Sequence, residues 1–157
     1  SIIVNDKLEE SLSYINSLKL EISEILQGDM CDHFLQMYFE RNETHSHFQH
    51  NMENGFNRFA SILDGFVFMR SCSNEGVIDL QNKRIADIKN GFYPWFQITH
   101  KKMMPTTILV FGNWAELAGF TGIKNIIALD TGSGFANGLL SAYCIETQEI
   151  QTVTMDK

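Results

Sequence analysis

Apolar residues recur at helical spacing through the first third of the chain, and short apolar runs separated by Gly, Asn and Thr follow in the rest. The helical spacing predicts a first helix from about Asp6 to Gln27, with Gly28 as a left-handed stop. A second helix is predicted through Phe34 and Phe39, capped by Asp29. Helices that come first and strands that follow indicate an α+β fold with the helices at one end.

The short apolar runs predict strands, and the turn signal Asn74-Glu75-Gly76 joins the first two of them as a hairpin. The predicted strands are Phe66–Arg70, Val77–Leu80, Ile108–Phe111, Ile126–Leu129, Leu139–Ile145 and Ile150–Val153. The polar segment between Arg41 and Gly55 is predicted to be a long loop or a short exposed helix. We expect a helical subdomain over residues 1–64 and a sheet-rich part over residues 65–157.

The formal net charge is −7. Nucleic-acid binding is therefore not expected, because neutralising phosphates requires a clustered excess of Lys and Arg. The three cysteines lack a Cys-x-x-Cys pair, and no apolar run approaches the ~20 residues of a membrane span. These features, with the absence of a secretory signal pattern, predict a cytoplasmic protein that does not enter a membrane.

The densest group of potential metal ligands is His45, His47 and His50. Imidazoles at this spacing could converge on zinc, nickel or copper in a turn, as in a stand-alone stress or regulatory protein. The spacing matches no known zinc pattern, and no Cys or acidic residue completes a four-ligand set. We therefore predict a solvated polar loop here, with the metal site as the alternative.

Two other motifs have both a functional and a structural interpretation. Gly132-Ser133-Gly134 could offer backbone N–H groups to an anion, but it lacks the Lys-Ser/Thr of a phosphate loop and is predicted to be a turn. Ser133 has no general base that the sequence identifies. The aromatic group from Phe92 to Phe96 could stack on a nucleobase, but because it has few cationic neighbours it is predicted to belong to a core.

Four segments occur together in a characteristic order and spacing: Phe66–Cys72, Pro94–Phe96, Val110–Ala115 and Ala128–Gly132. In this order the sequence resembles the carboxy-terminal half of bacterial symmetrical diadenosine tetraphosphatases, which are calcineurin-like metallophosphoesterases. The resemblance extends from about Glu24 to about Gln148. Because the sequence begins with Ser1 instead of Met, we interpret it as lacking an upstream segment.

The resemblance implies a helical cap followed by mostly antiparallel strands of half a metallophosphoesterase-like β-sandwich. It also implies hydrolysis of dinucleoside tetraphosphate at a two-metal centre, with a divalent metal such as Mn²⁺ or Co²⁺. The amino-terminal metal motifs of that family do not occur in this sequence, and Asn113 stands where the family has its last ligand His. By the same resemblance, Arg70 is a remnant phosphate contact and Asp130 belongs to a remnant active-site loop.

The departures from the family pattern fall on charged and metal-binding positions. Packing positions are retained at Phe66, Trp95, Phe96, Trp114 and Leu129. We therefore expect a truncated or degenerate active site, which is inactive in this isolated chain. The alternative is a non-catalytic relic or interaction module that keeps the fold and binds an unknown protein partner or a nucleotide.

Overall fold

A computed structural model describes residues 8–48, 52–53, 55–98 and 106–154. The described residues belong to two compact units, Ser1–Met103 and Met104–Lys157. The division predicted from the sequence, 1–64 and 65–157, falls inside the first unit and stays a prediction. Among the described residues, no helix has the length and apolar character needed to cross a membrane.

The described part of the first unit contains three α-helices and a small antiparallel sheet. The helices are α1 (Leu8–Gln27), α2 (Cys31–Glu40) and α3 (Phe56–Leu63). The strands are β1 (His45–Ser46), β2 (Ser71–Ser73), β3 (Ile78–Asp79) and β4 (Phe92–Pro94), and their order in the sheet is β1-β3-β2-β4. The two helices predicted for the first third are confirmed, while the predicted start at Asp6 lies outside the described residues.

The turn between α1 and α2 differs from its predicted form. Gly28 does not have a positive φ. It is needed there for space, because a Cβ at this position would lie 2.8 Å from the carbonyl oxygen of Glu24. The predicted cap at Asp29 is also wrong: α2 has Met30 at its N-cap, without a side-chain hydrogen bond.

The helices pack around a core that the amphipathic pattern of α1 and α2 anticipates. Its buried members are Leu18, Ile22, Phe34, Tyr38, Ala60, Ile62 and Leu63. Arg58 joins α3 to α1 at the edge of this core, where Nε and Nη2 donate to the two carboxylate oxygens of Glu21 at 2.8 and 2.9 Å. Such a bidentate pair fixes the orientation of both side chains.

The strand predicted at Phe66–Arg70 is wrong. Residues Asp64–Phe68 form a π-helical turn that continues α3, and the Met69 N–H donates to the Asp64 carbonyl at 2.7 Å. Phe66 is 42% exposed, so it is not the packing residue predicted from the sequence. The strand begins only at Ser71, and its predicted hairpin with β3 is confirmed by antiparallel pairing of Cys72 with Ile78.

Within residues 106–154, the second unit contains two separate two-stranded sheets. One joins β5 (Leu109–Phe111) to β6 (Ile126–Ala128) in parallel, and the other joins β7 (Leu139–Cys144) to β8 (Glu149–Thr154) in antiparallel. All four strands were predicted at these positions. The α+β class is confirmed, with antiparallel pairing in two sheets and the parallel β5–β6 pair as an exception to the expected pattern.

Candidate functional site

Asn113 and Asp130 lie at the same end of the parallel β5–β6 pair. Phe111 is in register with Ala128, and each polar residue follows its strand by two positions. The Leu129 N–H donates to the Phe111 carbonyl at 2.8 Å, which keeps the two chains together beyond the strands. The carboxyl ends of parallel strands are where α/β sheets place ligand-binding loops.

The loop conformations at these two positions have local causes. Asn113 has φ = 59°, in the left-handed region that Asn tolerates better than most residues. Asp130 accepts a hydrogen bond at Oδ1 from the Gly132 N–H at 3.1 Å, which forms a tight turn after β6. Thr131 fastens the next segment, since its hydroxyl donates to the Leu139 carbonyl at 2.7 Å. The turn predicted at Gly132–Gly134 is therefore present.

Arg70 lies in the first unit, immediately before β2, and is partly buried. Its Nη1 donates to the carbonyl of Lys83 at 3.1 Å. The structure therefore assigns Arg70 to one compact unit and Asn113 with Asp130 to the other. Its role as a phosphate contact stays a prediction.

The histidines predicted as an alternative metal site have different environments. His45 lies in β1 and is half-buried, with its ring centroid 5.5 Å from that of Phe92 and its Nδ1 2.9 Å from the Thr44 hydroxyl. His47 is exposed, and His50 lies outside the described residues. The expected polar loop is thus interrupted by a short strand.

His45 is paired in register with Asp79 of β3, which is 2% exposed. Burial tends to raise the pKa of Asp79, but hydrogen bonds from Asn82 and Gln81, with the nearby His45, hold that pKa below its ordinary value. The carboxylate is therefore ionised and fully engaged in a turn.

A second buried carboxylate, which the sequence analysis did not identify, lies at the start of the π-helical turn. Asp64 is fully buried, accepts a hydrogen bond from the Tyr38 hydroxyl at 2.5 Å and forms an ion pair with Arg41. The Arg41 guanidinium also lies 4.0 Å from the centre of the Tyr38 ring. The other carboxylate oxygen of Asp64, Oδ2, is buried without a hydrogen-bond partner. Asp64 stands directly after Ile62 and Leu63, and a charged residue in an apolar run could have signalled it.

A cavity of about 240 Å³ opens beside this group, entirely within the first unit. Its polar lining comes from β1, from the residues before and after β1 in the sequence, and from α3: Arg41, Glu43, His45, Ser46, His47, Asn57 and Ser61. Its apolar lining is Met52, Phe56 and Ala60. Sequence reasoning identified the two histidines but not the cavity, because its other residues carry no recognisable motif.

Among the described residues, no group of three or more His, Cys, Asp and Glu side chains is arranged to hold a metal ion. His45 and His47 line one cavity, but they gain no third ligand there among these residues. The described part of the chain therefore does not fit the two-metal centre that the resemblance implies.

No protein-family profile matches the chain, but curated proteins do. The symmetrical bis(5'-nucleosyl)-tetraphosphatase of Nitrosomonas europaea is 30% identical over 141 residues, which are 89% of this chain and 50% of that protein. The enzyme of the same name from a Marinomonas species is 32% identical over 140 residues, or 88% of this chain and 49% of that protein. That of Cellvibrio japonicus is 40% identical over 94 residues, which cover 59% and 34% of the two chains.

The chain thus spans half the length or less of these relatives. A partial match of this kind is consistent with a carboxy-terminal portion. The resemblance predicted from the sequence is therefore confirmed: the chain is similar to a part of the symmetrical bis(5'-nucleosyl)-tetraphosphatases.

Proposed function

We propose that this chain serves as the carboxy-terminal portion of a cytoplasmic symmetrical dinucleoside tetraphosphate hydrolase, and that it does not catalyse this reaction by itself. The observation that supports the proposal most strongly is the 30% identity to the Nitrosomonas europaea tetraphosphatase across 89% of the chain. The reaction class follows from the names of the relatives. The substrate is then a dinucleoside tetraphosphate, which the hydrolase cleaves with one water molecule into two nucleoside diphosphates.

In this proposal, residues 1–64 are the helical cap and residues 65–157 contribute to the catalytic domain. Arg70 contacts a phosphate oxygen, for which its guanidinium has the geometry and permanent charge. Asp130 orients the loop after β6. Asn113 occupies the position of a metal-ligand His, where its amide oxygen is a neutral and weaker donor for borderline transition ions.

The family resemblance implies a metal-dependent hydrolase, and Mn²⁺ or Co²⁺ is the metal we propose. The described residues of this chain do not provide the ligands for it. We therefore assign no catalytic step to a metal held by this chain. Its expected inactivity in isolation rests on the family motifs that its sequence lacks and on Asn113.

The first experiment incubates the isolated chain with diadenosine tetraphosphate and excess Mn²⁺ or Co²⁺, and separates the products by chromatography. We expect no adenosine diphosphate above a control without protein. Metal-dependent formation of that product would contradict the proposed inactivity.

A chimera tests the hydrolase assignment directly. The portion of the Nitrosomonas europaea enzyme that this chain does not cover is fused ahead of it, in versions with Asn113→His and with Asn90→His as the matched control. We expect slow metal-dependent hydrolysis by the fusion and a higher rate with Asn113→His only. A fusion that folds cooperatively but forms no product in any version would refute the assignment.

The second candidate function, an interaction module, is favoured by one observation. The β7–β8 hairpin exposes apolar side chains, with Leu140 and its register partner Val153 53% and 58% exposed. Exposed apolar groups of this kind mark a contact surface. In the hydrolase proposal the rest of the enzyme covers this face. Retained inactivity of a folded chimera would favour the interaction module.

A further inference from the structure

The cavity beside β1 has the size of a subsite. Its volume is about 240 Å³, whereas sites that enclose a whole small-molecule ligand are roughly 300–1,000 Å³. A single ring group therefore fits it better than a complete dinucleotide. It lies within one compact unit, and its lining residues come from α3 and from the segment that contains β1.

The charge in and around the cavity does not favour an oxyanion. Among the described residues of the lining, Arg41 is the only Lys or Arg, and its charge is already matched by the ion pair with buried Asp64. Glu43 adds a carboxylate to the lining, and Asp79 lies across the strand pair from His45. A phosphate group in the cavity would meet the Glu43 carboxylate, and no Lys or Arg among the described lining residues carries an unmatched positive charge.

The remaining lining has the two properties that recognise a flat heterocycle. Phe56, Met52 and Ala60 supply apolar contact, and the Phe56 ring is held by Phe34 at a centroid distance of 5.7 Å. Asn57 contributes an amide that can donate and accept together, which is the pattern that pairs with the edge of adenine. Enzymes that hold a single base combine these same elements, apolar packing on its face and hydrogen bonds to its edge.

We infer that this cavity binds the base of a nucleoside, with Phe56 against its face and Asn57 at its edge. The identification of the ligand as one nucleoside end of a dinucleoside polyphosphate rests on the proposed function. The residues involved belong to the predicted helical cap and to none of the motifs that carry the family resemblance.

The test titrates the intact chain with adenosine and, separately, with inorganic tripolyphosphate, and follows backbone amide resonances together with calorimetry. We expect adenosine to shift the amides of residues 56–61 and tripolyphosphate to leave them unchanged. Asn57→Ala should weaken adenosine binding about tenfold, the effect of one good hydrogen bond, and the matched control Asn90→Ala should not change it. Asn57 is exposed, so its substitution leaves the fold intact.

A second variant, Phe56→Leu, keeps apolar volume but removes the ring, and should also weaken adenosine binding severalfold. Tripolyphosphate shifts at residues 56–61, absence of adenosine binding, or adenosine binding that both variants leave unchanged would each overturn the inference. The measurement records binding without turnover. If the chain binds adenosine but the chimera is inactive, the base site is retained and the hydrolase proposal is refuted. If the chimera is active but the chain does not bind adenosine, the base site is refuted and the hydrolase proposal is retained.

Discussion

The Tyr38 hydroxyl and the Asp64 carboxylate form a hydrogen bond of 2.5 Å between α2 and the π-helical turn, in the buried core of the first unit. Burial, this hydrogen bond and the neighbouring negative charge all raise the pKa of Tyr38. The phenol is therefore a neutral donor at any physiological pH. Arg41 supplies the positive charge that makes a buried Asp64 tolerable.

This arrangement predicts unequal effects of removing its members. Asp64→Ala leaves the Arg41 charge without its partner and should lower the free energy of unfolding by about 3–5 kcal/mol. Tyr38→Phe removes one hydrogen bond and should cost about 1–2 kcal/mol. Urea unfolding measures both, with Tyr93→Phe at a 42% exposed tyrosine as the matched control. Similar small effects in all three variants would show that the pair contributes little to stability.

A second prediction concerns the tryptophans and Arg70. Trp95 and Trp114 are 6% and 2% exposed, as expected of packing residues, and each should cost about 3–5 kcal/mol when replaced by Ala. Arg70→Ala should cost about 0.5–1 kcal/mol, because the residue is partly exposed and its hydrogen bond from Nη1 is to the Lys83 carbonyl. Denaturant midpoints at constant slope compare the three variants. If Arg70→Ala lowered the free energy of unfolding by more than about 3 kcal/mol, Arg70 would be a structural residue, and its proposed role as a phosphate contact would be wrong.

The sequence predicted the elements whose pattern is local and strong. The 3.6-residue period identified α1 and α2, and short apolar runs identified β5 through β8. Residues Phe66–Phe68 were misassigned because alternation over so few residues also fits a helix that has widened to a π-turn. The two-residue strand β1 is formed by pairing with β3, and no local sequence pattern predicts it.

The candidate sites also differ in how far the sequence predicts them. Asn113 and Asp130 were singled out by the family resemblance, and each follows a strand that a short apolar run predicts, although the parallel pairing that brings them to one end depends on contacts distant in sequence. The cavity could not be predicted. Its lining runs from Arg41 to Ser61 through residues of mixed character, and it is created by the fold of α3 against the β1 segment.

The three cysteines should react with thiol reagents at different rates. Burial raises the pKa of Cys72 to about 11, so at pH 8 only about one molecule in a thousand carries its thiolate. Hydrogen bonds from Thr147 lower the pKa of Cys144, which is partly exposed. Iodoacetamide at pH 8, followed by peptide mass spectrometry, should label Cys144 well before Cys72. Equal labelling of the two in the folded chain would contradict their assigned environments.

The raised pKa of Cys72 also makes the free energy of unfolding depend on pH. Because the folded state favours the neutral thiol, its contribution is fully present below the unfolded pKa of about 8.5 and is lost as the pH rises through about 11. Cys72→Ala should therefore flatten the decline in unfolding free energy over that alkaline range. Cys31→Ala provides the control, and an identical decline in both variants would exclude this contribution.

The segment from Gly132 to Gly138 gives the last prediction. A Cβ on Gly138 would lie 1.7 Å from the carbonyl oxygen of Gly132, so Gly138→Ala forces the backbone apart where Leu139 N–H donates to the Thr131 carbonyl at 3.0 Å. We expect the free energy of unfolding to fall by roughly 1–3 kcal/mol or more, since backbone atoms cannot move aside as a flexible side chain can.

Gly112→Ala is the matched control, because its Cβ would meet no atom within 4 Å and its φ is not positive. That substitution should be neutral or stabilise by about 0.4–1 kcal/mol, through the entropy of the unfolded chain. Thermal unfolding and the amide resonance of Leu139 measure both effects. If Gly138→Ala left both unchanged, the close approach of Gly138 to Gly132 would not be a feature of the folded chain.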